Sequence, residues 1–233
     1  MKKILIVLFI TTIAFNSFAQ LDKVKNLPNY DNKLIHWGFT FGINKLDFLV
    51  LKSINFYNAP LEDNLYGITH KWMPGVNLGP IFELKFNKFF DFRTLLTLNF
   101  QQRSLIYYFD QGNAALKIDI PSTFIQMPLL VKFHGVRIDN TRPYIIFGGA
   151  PTFDISALKR PITNTPKVYL NPLDIYAETG IGIDWFLPYF KLATELKFGR
   201  GFNNVLERDN TVYTKYIDKL QSYYFMFSLH FEG

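Results

Sequence analysis

Residues 34–44 are Leu-Ile-His-Trp-Gly-Phe-Thr-Phe-Gly-Ile-Asn, a stretch in which large apolar side chains alternate with small or polar ones. The apolar positions are Ile35, Trp37, Phe39, Phe41 and Ile43. The positions between them are His36, Gly38, Thr40, Gly42 and Asn44. Because successive side chains of a β-strand point to opposite faces, this stretch predicts a strand with one aromatic and one polar face.

The same two-faced pattern recurs along the chain. It predicts eight strands, at 34–44, 76–86, 92–102, 123–133, 143–153, 173–185, 190–198 and 222–231. Segment 143–153 is apolar on both faces, so its register stays open. Aromatic residues make up 18% of the chain, and an outward face this aromatic indicates contact with lipid. We therefore predict an all-β fold, an eight-stranded antiparallel transmembrane β-barrel of the outer-membrane type, because a closed barrel leaves no backbone group unpaired in the bilayer.

The connections between these strands alternate in length. The long ones are 45–75, 103–122, 154–172 and 199–221, and the short ones are 87–91, 135–142 and 187–189. Outer-membrane barrels have short periplasmic turns and longer external loops, so we expect both termini in the periplasm. Residues 46–51 of the first long connection are strongly apolar. They form either an exposed interaction patch or a continuation of the first strand above the membrane.

The chain begins with a charged Met1-Lys2-Lys3, an apolar run and a small-residue site at Ser17-Phe18-Ala19. This order predicts a signal peptide at 1–19, with an uncleaved anchor as the alternative. A polar periplasmic lead at 20–33 and the barrel at 34–233 follow. The absence of cysteine means that the fold relies on sheet closure and not on disulfides. The formal charge of +6 is mild, shows no basic cluster beside aromatic residues, and predicts no nucleic-acid partner.

The inward faces of the predicted strands carry charges of both signs: Glu83, Lys85, Arg93, Arg103, Lys132, Glu178, Asp184, Glu195 and Lys197. An eight-stranded barrel is just wide enough to be filled by side chains. Buried charges must be paired, since their desolvation is otherwise too costly. We therefore expect an internal salt-bridge network that fills the barrel, and no open pore.

The sequence shows no catalytic or cofactor site. His70 with Asp63 or Asp110, and Ser53 or Ser104, are the candidates for an external active site, but they show no recognisable nucleophile–base spacing. His36, His134 and His230 lie at periplasmic strand ends, where a polar interfacial role is expected. Four scattered histidines without cysteine partners give no metal-ligand spacing. We predict a non-enzymatic protein with no metal and no cofactor.

Residues 26–33, Asn-Leu-Pro-Asn-Tyr-Asp-Asn-Lys, lead into His36-Trp37-Gly38-Phe39 and Gly42-Ile43-Asn44. This region resembles the PorT/SprT family of the type IX secretion and gliding-motility machinery. Segments 124–133, 178–184 and 189–204 support the resemblance, although they are shared with the wider outer-membrane barrel superfamily. The resemblance implies a role in exporting proteins that carry a type IX C-terminal signal, together with other secretion components as partners. It supplies no catalytic motif. The alternative is a generic opacity- or porin-like outer-membrane barrel that acts in adhesion or envelope stability.

The lead provides candidate contact residues for such a partner, namely Leu27, Pro28, Tyr30 and Asp31. The alternative is a plug folded under the barrel floor, since short termini are ordered only when tied down. Two further contacts follow from the barrel itself. The outward face meets outer-membrane lipid, and the last strand, which ends at Phe231, resembles the C-terminal signal read by the barrel-assembly machinery.

Overall fold

The computed structural model describes residues 24–110, 114–158, 168–209 and 211–233, with only the backbone at 58–60. The predicted signal peptide at 1–19 lies outside the described residues. Within these ranges the strands are β1 (Ile35–Lys52), β2 (Leu65–Trp72), β3 (Pro74–Lys85), β4 (Phe90–Leu95), β5 (Thr97–Phe109), β6 (Ala114–Gln126), β7 (Leu129–His134), β8 (Thr141–Asp154), β9 (Leu173–Phe186), β10 (Lys191–Gly201) and β11 (Ile217–Glu232).

The helical elements of the described ranges are all short. Three are 3-10 turns, at Tyr30–Asn32, Ile54–Asn58 and Ser156–Leu158, and two are four-residue α-helices, at Ala59–Glu62 and Val212–Lys215. In this part of the chain, no helix combines the length and the apolar character that crossing a membrane would require.

The strands close into an antiparallel barrel of eight. β2 and β3, β4 and β5, and β6 and β7 are successive pieces of single barrel strands, interrupted at Met73, Leu96 and residues 127–128. Each barrel strand pairs with its neighbours in the chain, and β1 pairs with β11 along its length from Gly38 opposite Glu232. The short turns at 86–89, 135–140 and 187–190 lie at the same end as both described termini. The predicted fold is therefore confirmed.

The predicted faces are confirmed as well. On β1, Trp37 is 67% exposed on the outside, whereas His36 is 3% exposed and faces the interior. On β8, whose register the sequence left open, Tyr144 and Ile146 are among the buried inward residues. Tyr144 lies opposite Gly182 of β9, where a Cβ atom would come within 2.3 Å of the Tyr144 ring. The missing side chain at Gly182 thus makes room for the tyrosine and accounts for the register.

The strands are longer than the sequence predicted, because much of the expected loop sequence continues the sheet. β1 runs on to Lys52 and the next barrel strand already begins at Leu65. Residues 46–51 continue the first strand, with Leu46 and Phe48 buried inside and Leu49 and Leu51 exposed on the outer face. The external connection that remains between these two strands is 53–64.

The barrel flattens into two layers at its extracellular end. The ladder between β1 and β3 ends with Lys45 opposite Pro74, and β2 pairs with β5 alone among the described residues. On the other side, β6 meets β8 only at 124–126. A layer of β2, β5 and β6 therefore packs on the remaining wall through one apolar cluster, whose members are Phe48, Leu65, Ile68, Leu105, Tyr107, Ile118, Ile120, Val168, Leu170, Val205, Leu206, Tyr216, Ile217 and Leu220.

Candidate functional site

A buried arginine, Arg93 of β4, crosses the lumen of the barrel. Its guanidinium donates to Glu83 of the adjacent β3 at 2.6 Å and to Glu195 of β10, on the opposite wall, at 2.7 Å. All three side chains are at most 2% exposed. Hydrogen bonds of this charge-assisted kind are stronger than neutral ones, so Arg93 ties two opposite walls together.

The ion pairs around Arg93 form a continuous network. Lys132 lies 3.2 Å from Glu83 and 2.9 Å from Asp184, and Lys191 lies 2.8 Å from Glu232. The network joins four cations to four carboxylates, namely Arg93, Lys132, Arg142 and Lys191 with Glu83, Asp184, Glu195 and Glu232. Equal numbers of each sign offset the desolvation cost of burying them.

The network lies in the periplasmic half of the lumen beside a small apolar cluster, and the larger apolar cluster lies in the extracellular half. The small cluster comprises Ile81, Leu95, Leu130, Tyr144, Ile146 and Ala193. The predicted internal salt-bridge network is therefore confirmed. The interior of the described barrel is packed with side chains at both levels.

Two predicted interior cations have partners outside this network. Lys197 pairs with Glu178 at 2.8 Å. Arg103 donates to the hydroxyl oxygens of Ser122 at 2.9 Å and of Ser222 at 2.8 Å. The short hydrogen bonds of Arg103 thus go to neutral acceptors, and its ion pair with Asp154 is longer, at 3.9 Å.

Two members of the network, Arg142 and Glu232, lie outside the strands that the sequence predicted. The predicted turn 135–142 includes Arg142, and the predicted last strand ends at Phe231, before Glu232. Both residues continue the inward positions of their strands, two residues from Tyr144 and from His230 respectively. Extending the alternation by one residue at each of these strand ends would have found them.

The histidines at the periplasmic strand ends do not have the predicted interfacial role. His36, His134 and His230 all point into the barrel, because they occupy inward positions of their strands. His134 Nε2 lies 3.2 Å from a carboxylate oxygen of Asp91, and His230 Nε2 lies 3.4 Å from one of Glu195. They extend the interior polar packing to its periplasmic end.

The candidate catalytic residues do not come together in the described part of the chain. His70 Nδ1 lies 2.6 Å from Asp47 Oδ1. Ser104, opposite Lys71 in the ladder of β2 and β5, donates its hydroxyl to Asp119 at 2.6 Å and not to His70. The remaining candidates, none of which bonds to His70 among the described residues, are Ser53, Asp63 and Asp110. Among the described residues, His70 therefore bonds to none of the candidate serines.

The periplasmic lead is folded against the barrel floor through Tyr30. The Tyr30 ring stacks on His36, with ring centroids 3.8 Å apart, and its hydroxyl lies 3.2 Å from Glu232. Lys191 Nζ lies 4.9 Å from the centroid of the same ring. Tyr30 is buried and thus joins the interior network to the lead.

Asp31 anchors the lead by a second route. Its carboxylate accepts from Arg142 at 3.0 Å, and its carbonyl oxygen accepts from Lys85. Nearer the start of the described lead, the carbonyl oxygen of Asn26 accepts a hydrogen bond from Arg137. Tyr30 and Asp31 therefore face the barrel. The described part of the lead has the arrangement of the plug alternative.

Leu27 and Pro28 are the two predicted contact residues that stay at the surface. Leu27 is half-buried and has a positive φ of 48°, and Pro28 is exposed. A left-handed backbone at a leucine is uncommon and indicates a tightly constrained turn. This turn holds both side chains on the periplasmic face of the floor.

A protein-family comparison agrees with this architecture. The family described as outer membrane protein beta-barrel domain matches residues 18–207. The chain belongs to this family. Membership places the protein in the outer membrane. Because outer-membrane barrels have short periplasmic turns, the end with the short turns and both described termini is the periplasmic floor, and the two-layered end lies outside. No curated protein matches the chain in a sequence comparison.

Three solved outer-membrane barrels share 10–12% sequence identity with the chain. The outer membrane protein OprG from Pseudomonas aeruginosa is 12% identical, with a TM-score of 0.48 over 85% of this chain and 92% of that one. Ail, the attachment invasion locus protein of Yersinia pestis, is 11% identical, with a TM-score of 0.35 over 85% of this chain and 98% of that one. The N-terminal barrel domain of Pseudomonas aeruginosa OprF is 10% identical, with a TM-score of 0.35 over 83% of this chain and 97% of that one.

Proposed function

We propose that this outer-membrane barrel is a non-enzymatic component of the type IX secretion and gliding machinery, needed for the export of proteins with a type IX C-terminal signal. The observation that carries the proposal is the resemblance of residues 26–33 and the first strand to PorT/SprT proteins. The filled lumen supports an accessory role, because a cargo protein has no path through the described barrel. The barrel then acts by contact with other secretion components.

In this proposal the partner binds at the periplasmic floor. Leu27 and Pro28 form its contact surface, since they are the predicted contact residues left accessible. Tyr30 and Asp31 take a different part from the one first expected, because their side chains hold the lead to the barrel. They keep the surface turn in place for the partner.

Deletion of the gene tests the secretion role directly. We expect type IX cargo to accumulate in the periplasm with its C-terminal signal uncleaved, and reintroduction of the gene to restore secretion. A deletion strain that secretes its cargo normally would overturn the proposal. The readout is the amount of cargo in the medium and in the periplasm.

A double variant, Leu27→Ser with Pro28→Ser, tests the contact surface. We expect it to reproduce the secretion block while the barrel still inserts and still shows heat-modifiable migration on gels. The matched control is Val136→Ser with Ile138→Ser, which removes two exposed apolar side chains from another periplasmic turn. Normal secretion by the Leu27/Pro28 variant would exclude this surface but leave the deletion result intact.

A second candidate function is adhesion, and one observation favours it. The external connection 53–64 exposes three large apolar side chains, Ile54 at 80%, Tyr57 at 81% and Leu61 at 90%. Exposed apolar side chains clustered in one segment are typical of interaction surfaces. In this case Ile54→Ser with Leu61→Ser would lower cell attachment while secretion of type IX cargo stayed normal.

A further inference from the structure

A shallow apolar groove of about 700 Å³ crosses the outside of the barrel on β9, β10, β11 and β1. Its floor is a row of outward side chains in register across these four strands, Ile181, Leu196, Phe227 and Ile43. The groove belongs to the lipid-facing surface, because it lies on the same outward faces as the aromatic residues of β1. Its natural occupant is therefore a lipid chain.

A cation stands at the extracellular border of this groove. Lys45 is the first charged outward residue of β1 above the apolar band, and it lies opposite Phe225 in the ladder with β11. Its Nζ atom lies 4.4 Å from the centroid of the Trp72 ring, which also lines the groove. Lys45 makes no ion pair with any residue in the described ranges, so its charge is free to meet an anion.

A second hollow, of about 190 Å³, adjoins the groove and shares Phe198 with it. Arg200 and Tyr223 line this hollow, and they lie opposite each other in the ladder of β10 and β11. Arg200 is exposed and likewise has no ion pair among the described residues. Arg200 stands two strands from Lys45 and two residues farther along the ladder, roughly 12 Å away at the usual strand spacing and rise.

The nearby acidic residue does not neutralise these cations. Asp47 lies opposite Tyr223, but its side chain is only 4% exposed. Its carboxylate accepts from the backbone N–H of Phe48 at 2.9 Å and from the Tyr223 hydroxyl at 3.3 Å, and it contacts His70 at 2.6 Å. The Asp47 carboxylate is therefore occupied by these three contacts, one of which links β1 to His70 of β2.

Some other cations of the extracellular end have acidic partners. Lys117 pairs with Asp119 at 2.8 Å and Lys215 pairs with Glu62 at 2.7 Å. Lys45 and Arg200, like Lys52, Lys71 and Lys219, form no ion pair among the described residues, but they differ from those three in bordering the groove and its adjoining hollow. An apolar groove with unpaired cations at its extracellular border matches an amphiphile whose acyl chains lie below an anionic headgroup.

We propose that this groove is a binding site for an anionic, phosphorylated lipid of the outer leaflet. The acyl chains lie along Ile181, Leu196 and Phe227, and the headgroup phosphate meets Lys45 and Arg200. A free phosphate ion would use the cations but leave the apolar floor empty. A zwitterionic phospholipid would use the floor but gain little from two unpaired cations.

Competitive lipid binding tests the site. The full-length protein is purified in detergent, delipidated, and incubated with equal amounts of phosphorylated lipid A and its dephosphorylated form, and the bound lipid is counted by native mass spectrometry. We expect the native protein to prefer the phosphorylated form. Lys45→Ser should reduce that preference about fivefold, the effect of one cation near an anionic lipid surface. Lys219→Ser, which removes an exposed extracellular cation outside the groove, should leave it unchanged.

A second variant tests the apolar part of the site. Thr179→Trp fills the groove from an outward position of β9, and we expect it to lower the amount of both lipids bound while heat-modifiable migration confirms the fold. The proposal is overturned if the native protein shows no preference, if Lys45→Ser and Lys219→Ser behave alike, or if Thr179→Trp binds lipid normally. Displacement of the lipid by millimolar inorganic phosphate would also overturn it.

Discussion

Tyr30 and His36 stack almost in parallel, with ring centroids 3.8 Å apart and an angle of 8° between their planes. The contact joins the periplasmic lead to the first barrel strand at the point where the interior network ends. Tyr30 also lies edge-on to Phe186 of β9, with ring centroids 5.6 Å apart. One aromatic side chain therefore ties the lead to two strands from different parts of the barrel wall.

Removing this ring should loosen the floor of the barrel. We expect Tyr30→Ala to lower the free energy of unfolding by about 2–4 kcal/mol, because it removes a buried aromatic side chain. Tyr30→Phe keeps the stacked ring and loses only the hydroxyl contact with Glu232, so its cost should be ~1 kcal/mol. Urea unfolding of the protein in lipid vesicles measures both. Equal costs for the two variants would contradict a packing role for the ring.

Removing Arg93 should destabilise the barrel strongly. Arg93→Met leaves Glu83 and Glu195 as buried carboxylates that have lost a partner, which typically costs about 3–5 kcal/mol. Arg208→Met is the matched control, since Arg208 and Asp218 form an exposed pair worth at most ~1 kcal/mol. The same unfolding measurement compares the two. A small effect at Arg93 would mean that the other cations of the network compensate for its loss.

The register of β8 against β9 depends on the space above Gly182. Gly182→Ala places a methyl group against the buried Tyr144 ring, and we expect a loss of about 1–3 kcal/mol from overpacking. In a Tyr144→Ala background the same substitution should cost much less, because the clashing ring is gone. A double-mutant cycle measures this coupling. Additive costs would show that the two residues do not share this space.

The external connection 53–64 should detach at low pH from Lys215 and Tyr216, which hold it through Glu62. Hydrogen bonds from Lys215 and Tyr216 hold the pKa of the Glu62 carboxyl below its ordinary value of 4.5. A lowered pKa in the folded state means that the tie is fully present above pH 4.5 and is lost as the pH falls through the lowered value. Limited proteolysis of this connection should be slow at pH 6 and fast near pH 3. Lys215→Ala should make it fast at both.

Cysteine labelling on intact cells tests the orientation of the barrel. Leu61→Cys lies in the external connection and should react with an impermeant reagent, because its side chain is exposed outside the membrane. Tyr189→Cys lies in the turn 187–190 and should react only after the outer membrane is permeabilised. The opposite pattern would place the short turns outside the cell.

The alternation of side chains along the chain determined, by itself, the strands and their faces. The outward Trp37 and the inward His36 follow from a rule that acts within a few residues, because lipid covers one face of each strand and packed polar groups cover the other. The same rule located Glu83, Arg93 and Lys132 inside the barrel, where the lack of water requires them to be paired. The alternation rule could not assign the faces of segment 143–153, because both faces of that segment are apolar.

Only the tertiary structure decided which residues meet. Arg93 and Glu195 lie 102 positions apart, and they form a pair because closure of the ring places β4 opposite β10. Tyr30 became part of the floor for the same reason, since its pocket is assembled from strands that the local sequence does not contain. The flattening of the extracellular end, and the groove that unpaired Lys45 borders, likewise depend on where long-range ladders stop. Alternation is a property of one strand, whereas pairing, plugging and groove formation are properties of the closed barrel.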